Sequence, residues 1–353
     1  MKLYLNLLKH ILFNNLNIIP TPSLCTFLVT WRCELKCYMC RIPGLKDKSE
    51  MDTSQVKAIF NDLNTLDVVR ITGGEPFVRE DLPEIVQHII RTSNPSTIMI
   101  NTNGFQTSKI IDFAEAMGSP RFHFRISLDA VGERHDEIRC LRGAFQRAYD
   151  TLKGLVKLRE GLGFCVGVNI TITKRNIDQI EPLQRLCQGL GVDLQYQMAR
   201  DDRYLLEPND GDFRQSEFSF FDPLSEEELA EIVEGISRDT RSYNFKEGLV
   251  KRYFNEGLRN RLLYGKKTPN TRCVALTSHI RILPNGEVPI CIHSNTRVGD
   301  LTKQSLREIW FGKGIEHYRE MVRNCPGCWM PCEVAPNAIY TGSILRALFL
   351  RTV

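Results

Sequence analysis

Nothing in this sequence approaches the ~18 uninterrupted apolar residues of a membrane-crossing helix, so no such helix is predicted. An export signal is lacking too. The segment Met1 to Pro20 is apolar but broken by Asn6, Lys9, His10, Asn14 and Asn15, with neither a continuous signal core nor a small-residue cleavage site. There is no lysine- or arginine-rich block, and the formal net charge of +4 is spread along the chain, which argues against nucleic acid as a partner. Repeats and low-complexity tracts are absent, which sets aside solenoids and long disordered linkers. What remains is an ordinary globular composition, 42% hydrophobic and 25% charged over 353 residues, long enough for a sizeable core. Cysteine is the exception. Of 12 cysteines, three fall within Cys33–Cys40 and three within Cys325–Cys332. In a large chain without an export signal, metal-bound thiolates in a reducing cytoplasm are expected rather than a secreted disulfide framework.

From Thr26 to Met198 short apolar runs alternate with amphipathic stretches. The runs are Thr26–Trp31, Val68–Thr72, Thr97–Asn101, Phe122–Leu128, Cys165–Thr171 and Val192–Met198. Behind Asp52–Thr53, a candidate N-cap, Val56, Ile59, Phe60, Leu63 and Leu66 recur at helical spacing. Similar patterns fill Leu82–Ile90, Ala144–Leu158 and Ile177–Leu186. Six strand–helix units in this order predict an α/β fold with a parallel sheet, either an open barrel or a doubly wound sheet. The pattern breaks after Arg200. An irregular insertion is expected over Asp201–Pro223, then helices over Ser225–Arg238 and Lys246–Leu263, then a turn-rich, cysteine-punctuated region with a hairpin turn at Pro284–Gly286. The division expected is an apolar N-terminal segment (1–22), a core (23–200), an insertion with linking helices (201–270), a small second domain (271–340) and a tail (341–353).

The segment Cys33-Glu-Leu-Lys-Cys37-Tyr-Met-Cys40 follows the first strand. Three thiolates on one loop can bind three irons of a 4Fe–4S cluster and leave the fourth iron open to chelate a substrate or cofactor. Chance clustering of buried thiols and a zinc site are the competing readings, although no fourth ligand lies near. The second strand ends in Gly73-Gly74-Glu75-Pro76, where ligands of parallel α/β folds gather. Glycines there let the backbone approach a ligand, and a carboxylate beside them can accept from an ammonium group.

Together these motifs resemble the radical S-adenosylmethionine (radical SAM) superfamily. The resemblance spans about Ser23 to Pro336 and implies a partial (β/α)6, TIM-like barrel. It implies an open iron binding S-adenosylmethionine, whose reductive cleavage gives a 5′-deoxyadenosyl radical that abstracts hydrogen from an unactivated C–H bond. A reducing partner such as ferredoxin or flavodoxin is implied with it. Cys33, Cys37 and Cys40 would hold the cluster. The S-adenosylmethionine contacts implied are Met39 against adenine, Gly73, Gly74, Glu75 and Pro76 at the ammonium group, Asn103 at the end of strand three, Ser127 of the Arg125–Asp129 motif at the ribose, and Arg139 at the carboxylate. Two positions depart from the family pattern. Met39 stands where an aromatic residue is usual, with Tyr38 one place earlier, and Cys140 replaces a glycine.

A second set comprises Cys273, Gly286-Glu-Val-Pro-Ile-Cys291 and Cys325-Pro-Gly-Cys328-Trp-Met-Pro-Cys332. A hairpin and a Cys-x-x-Cys turn can together supply four thiolates, for zinc or for iron. The arrangement resembles the auxiliary-cluster domains called SPASM and twitch. It implies a second 4Fe–4S cluster on Cys273, Cys291, Cys325 and Cys328, with Cys332 as an alternative ligand. Cys25, Cys165 and Cys187 are expected in the core, and His279 and His293 in packing or turn roles. The auxiliary cluster implies an oxidative outcome on a peptide or small-molecule substrate. The alternatives are a redox-neutral epimerase with Cys332 or Cys140 returning hydrogen, and a non-enzymatic electron carrier or zinc module. Leu3, Leu7, Ile11 and Phe13, with Ile344, Leu345, Leu348 and Phe349, are expected to pack against the barrel rather than form a membrane interface.

Overall fold

The computed structural model describes residues 2–200, 221–239, 245–325 and 327–348. Most of the expected insertion, and Phe349 of the tail, lie outside them. A first helix, α1 (Lys2–Leu16), precedes six strands: β1 (Leu24–Thr30), β2 (Val68–Gly73), β3 (Thr97–Thr102), β4 (Phe122–Ser127), β5 (Cys165–Ile172) and β6 (Asp193–Met198). Successive strands pair in parallel. Helices α2 (Thr53–Asp62), α3 (Leu82–Ser93), α4 (Thr107–Met117), the short α5 (Glu133–Arg139), α6 (Ala144–Leu162) and α7 (Ile180–Gly189) fill the crossovers. Asp52 caps α2 by accepting from the Gln55 N–H at 2.9 Å, and the Gln55 side chain returns the bond to the Asp52 N–H. That reciprocal pair satisfies two of the amides a helix start leaves orphaned.

Parallel strands covered on both faces are buried continuously, as β1 is, but on β3 and β6 burial alternates. On β3, Ile98 and Ile100 are fully buried, whereas Thr97, Met99 and Asn101 are only half-buried. β6 repeats the pattern, with Leu194 and Tyr196 buried and Asp193, Gln195 and Gln197 half-buried. The outer face carries the core beneath the helices. The inner face is polar and lines a lumen, which is the barrel-like arrangement.

After α8 (Glu226–Asp239) and α9 (Phe245–Tyr264) comes β7 (His279–Ile282), which pairs in parallel with β1. The sheet order is therefore β6-β5-β4-β3-β2-β1-β7. The cysteine-punctuated region thus extends the main sheet, because Ile280 and Ile282 are fully buried in the same core as Phe27 and Val29. The turn at Pro284–Gly286 forms, with the Gly286 N–H donating to Leu283 O at 2.9 Å. Its two strands part, however: β8 (Glu287–Pro289) pairs antiparallel with β9 (Arg297–Asp300) instead. Three α-helices follow, α10 (Leu306–Trp310), α11 (Ile315–Arg323) and α12 (Pro331–Tyr340), then a short 3-10 helix over Ser343–Leu348. α9 seals the open side of the lumen beside β6, where the Lys251 ammonium donates to Leu194 O at 2.5 Å. No described helix is long and apolar enough to cross a membrane.

Candidate active site

The carboxyl ends of β1 to β6 converge on a cavity of about 290 Å³ whose wall includes Cys33, Cys37 and Cys40. The cysteine loop leaves β1 at a point held by Glu50, which accepts from the Thr30 hydroxyl at 2.7 Å and the Trp31 N–H at 2.6 Å. β2 ends against the same point. The Gly74 N–H donates to Thr30 O at 2.7 Å and the Glu75 N–H to Arg32 O at 2.8 Å. A Cβ on Gly73 would stand 2.4 Å from Thr30 O, and one on Gly74 2.2 Å from Arg32 O. Gly73 also has a φ of +135°, open to glycine. Both glycines line the cavity, yet what their missing side chains admit is the backbone at the root of the cysteine loop. Gly74→Ala is therefore expected to displace that loop, to cost about 1–3 kcal/mol, and to lower iron retention after reconstitution; thermal melts and iron assays measure both.

Glu75 is placed differently from expectation. Its carboxyl is fully buried behind the cavity wall, accepting from the Thr102 hydroxyl at 2.7 Å, the Asn103 N–H at 2.6 Å and the Phe77 N–H at 3.1 Å. Burial pushes it up to about 7 against those three donors, which favour the charged form. Glu75 therefore ties the end of β2 to the end of β3. Neither it nor Pro76 lines the cavity. The other six expected contacts, Met39, Gly73, Gly74, Asn103, Ser127 and Arg139, all do.

Arg139 closes one wall. Its Nε stands 2.7 Å from Asp129 Oδ2, and its Nη1 donates toward Cys37 Sγ at 3.6 Å. Asp129 is fully buried and fixed by the Thr171 N–H at 2.9 Å, so it aims the guanidinium while leaving further donors for an anionic ligand. Asn103 Nδ2 reaches Cys33 Sγ at 3.7 Å. Met39 lines the cavity, whereas Tyr38 turns away to donate to Asp222 Oδ2 at 3.1 Å beneath Arg175. Cys140 has a φ of +55°, which explains why glycine suits that position, and is exposed away from the cavity. Asn101 Oδ1 is buried without a hydrogen-bond partner among the described residues. Three thiols, a charged fork and orphaned or cavity-facing amides are a donor set that fits a 4Fe–4S cluster with an amino-acid-bearing nucleoside.

The second set converges as well. Cys273, Cys291, Cys325 and Cys328 line one small cavity with His293, Arg261 and Glu333. Three of the four thiols accept an N–H from two residues ahead: Ala275 to Cys273 at 3.5 Å, His293 to Cys291 at 3.3 Å and Gly327 to Cys325 at 3.4 Å. Such bonds favour the thiolate and tune a bound cluster. Burial first, and then the Glu333 charge, push the Cys273 and Cys291 thiols up, so metal must displace their protons. Burial also opposes the Glu333 charge, but Arg281 and His279 overcome it and hold the carboxyl well below its ordinary range. The donor set fits a four-thiolate cluster. Cys332, an electrostatic neighbour of Cys328, lines a third, mostly apolar cavity of about 360 Å³ that shares Asn101 and Gln197 with the first. His279 has the expected packing role, bonded to Thr26 Oγ1 at 2.8 Å, whereas His293 faces the thiols. Cys25 and Cys187 are buried as expected. Cys165 is exposed, because it opens β5 at the rim of the sheet away from the cavity.

Two family models match, the radical SAM superfamily over residues 27–187 and an iron–sulfur cluster-binding domain, SPASM, over residues 273–329. The chain belongs to the radical SAM superfamily. It is a radical SAM enzyme with a C-terminal SPASM domain, and its cofactors are 4Fe–4S clusters and S-adenosylmethionine. It is 28% identical to an AdoMet-dependent heme synthase of Methanosarcina barkeri over 85% of this chain and 84% of that one. It is 30% identical to mycofactocin maturase MftC of Mycolicibacterium smegmatis over 52% of this chain, but spans only 46% of that protein. Among solved structures, Streptococcus suis SuiB bound to precursor peptide SuiA aligns with a TM-score of 0.61 at 17% identity, over 86% of this chain and 68% of that one. That likeness is one of fold.

Sequence reasoning missed the supports of the radical SAM site. Asp129 was legible as part of a motif but not as the residue that aims Arg139. Arg200, at the end of β6, lines the first cavity and is an electrostatic neighbour of Cys328 and His293 in the second. Nothing local in the sequence marks it, since its role comes from where β6 ends.

Proposed function

We propose that this chain oxidises a peptide or small-molecule substrate at an unactivated C–H bond, with the electron leaving through a second 4Fe–4S cluster. When bound, the first cluster and S-adenosylmethionine supply a 5′-deoxyadenosyl group that takes one hydrogen atom, and the second cluster supplies a one-electron acceptor. Cys33, Cys37 and Cys40 hold the first cluster; Arg139, aimed by Asp129, holds the carboxylate of S-adenosylmethionine; Ser127 and Asn103 meet its polar groups. The substrate loses a hydrogen atom, then an electron and a proton, and ends two hydrogens lighter. A ferredoxin or flavodoxin returns the electron that cleaves the next S-adenosylmethionine. The observation that carries this reading is the convergence of four thiols, three bonded to amide N–H groups, in the same chain.

One observation favours a redox-neutral second reading. Cys332 lines the cavity that adjoins the first, where a thiol could return hydrogen; Cys140, exposed elsewhere, does not. Turnover in deuterated solvent separates the two. The proposal expects product two hydrogens lighter than substrate, whereas product one mass unit heavier than substrate, with one deuterium in place of a hydrogen, would favour Cys332 as donor.

A further inference from the structure

Helix α1 is attached to the body by its polar side. Asn6 Nδ2 donates to Asp67 at 3.2 Å, His10 Nδ1 bonds Ser278 Oγ at 2.8 Å, and Asn14 Nδ2 donates to Ser278 Oγ at 2.9 Å and to Tyr340 O at 3.0 Å. Leu7 and Ile11 help, the first packing on Leu24, Val274 and Tyr340, the second on Gly342. This orientation turns a different set of residues outward. Leu5, Leu8, Leu12 and Leu16, at the three-and-four spacing of one helix face, and Ile18 beyond them are 46–62% exposed. A free amphipathic helix on a protein surface does the reverse, burying its apolar face. Here buried hydrogen bonds enforce the outward leucines, so the exposure is built into the fold. Leu345, three residues past the glycine that Ile11 touches, is also exposed.

We propose that this leucine face seats the chain on an anionic phospholipid surface. Two arguments select that occupant. The first is charge. α1 contains no acidic residue, its Lys9 is exposed, and Arg272 donates to Asn14 O at 2.7 Å at the far end of the helix with Arg323 as its electrostatic neighbour. Basic groups beside an apolar stripe are what an anionic headgroup layer attracts. The second is area. A 15-residue helix is about 22 Å long, and a strip one side chain wide along it falls well short of the ~800 Å² per partner that a stable dimer buries. A bilayer interface sets no such threshold, because each leucine that enters the acyl boundary contributes independently.

The test is co-sedimentation of the full chain with vesicles of phosphatidylcholine and phosphatidylglycerol in equal amounts, against phosphatidylcholine alone. The wild-type chain is expected to sediment with the anionic vesicles. Leu8→Ser with Leu12→Ser should lower the bound fraction about tenfold or more, with an unchanged melting temperature because both side chains are exposed. Lys9→Glu should weaken binding to the anionic vesicles only. Absence of wild-type binding, or equal binding by the double serine variant, overturns the proposal. So does a wild-type dimer in sedimentation velocity that the double variant dissociates while neither form binds vesicles, since a second copy then covers the stripe.

Discussion

Replacing Cys33, Cys37 and Cys40 together by alanine is expected to halve the iron of the reconstituted protein, from about eight to about four per chain, and to abolish 5′-deoxyadenosine formation. The fold should survive. The loop root is held by Glu50 and by the backbone bonds from Gly74 and Glu75, none of which involves a thiol. The three cysteines are half-buried or exposed, so alanine leaves no cavity in the core. The first cavity loses its metal-binding thiolates while Arg139 and Ser127 stay in place. An unchanged iron content, or zinc near one per chain without sulfide in the parent, would contradict the assignment of either cluster.

Cys325→Ala with Cys328→Ala is expected to separate two steps that the parent couples. S-adenosylmethionine cleavage should continue, because the first cavity keeps its thiols and Arg139. The product two hydrogens lighter should disappear, because the substrate radical has lost its electron acceptor. Loss of a four-thiolate site often unfolds a small metal-dependent domain, but this region is not a free-standing domain. β7 is the seventh strand of the main sheet, and Trp310, Ile309 and Val322 belong to the common core. A melting temperature within a few degrees of the parent is therefore expected alongside the chemical defect. Retained oxidation in a folded double variant would remove the second cluster from the reaction.

The fold was legible because strand period and helix period alternate clearly from β1 to β6, and because Asp52 announces a helix start ahead of Val56 and Ile59. β7 was less so. Its four residues read locally as one arm of a hairpin, and only the long-range match of Ile280 and Ile282 to the β1 core decides the pairing. The two cysteine sets were legible because thiols crowd within Cys33–Cys40 and within Cys325–Cys332. The direction in which Glu75 faces is illegible in the sequence for a physical reason. Sequence places a carboxylate beside two glycines but does not say which side of the strand end it faces, and the Thr102 and Asn103 donors on β3 draw it inward. Helix α1 posed the same difficulty. It is apolar on most sides, so its buried face depends on Asp67, Ser278 and Tyr340, which lie far away in sequence.

The central claim is that this cavity cleaves S-adenosylmethionine reductively. The most direct measurement is anaerobic incubation of reconstituted, dithionite-reduced protein with S-adenosylmethionine, followed by chromatography of the nucleoside products. The account predicts 5′-deoxyadenosine with an equal amount of methionine, and neither from the variant lacking Cys33, Cys37 and Cys40. S-adenosylhomocysteine with a methylated product, or no cleavage by protein whose two clusters are intact and reduced, would contradict it.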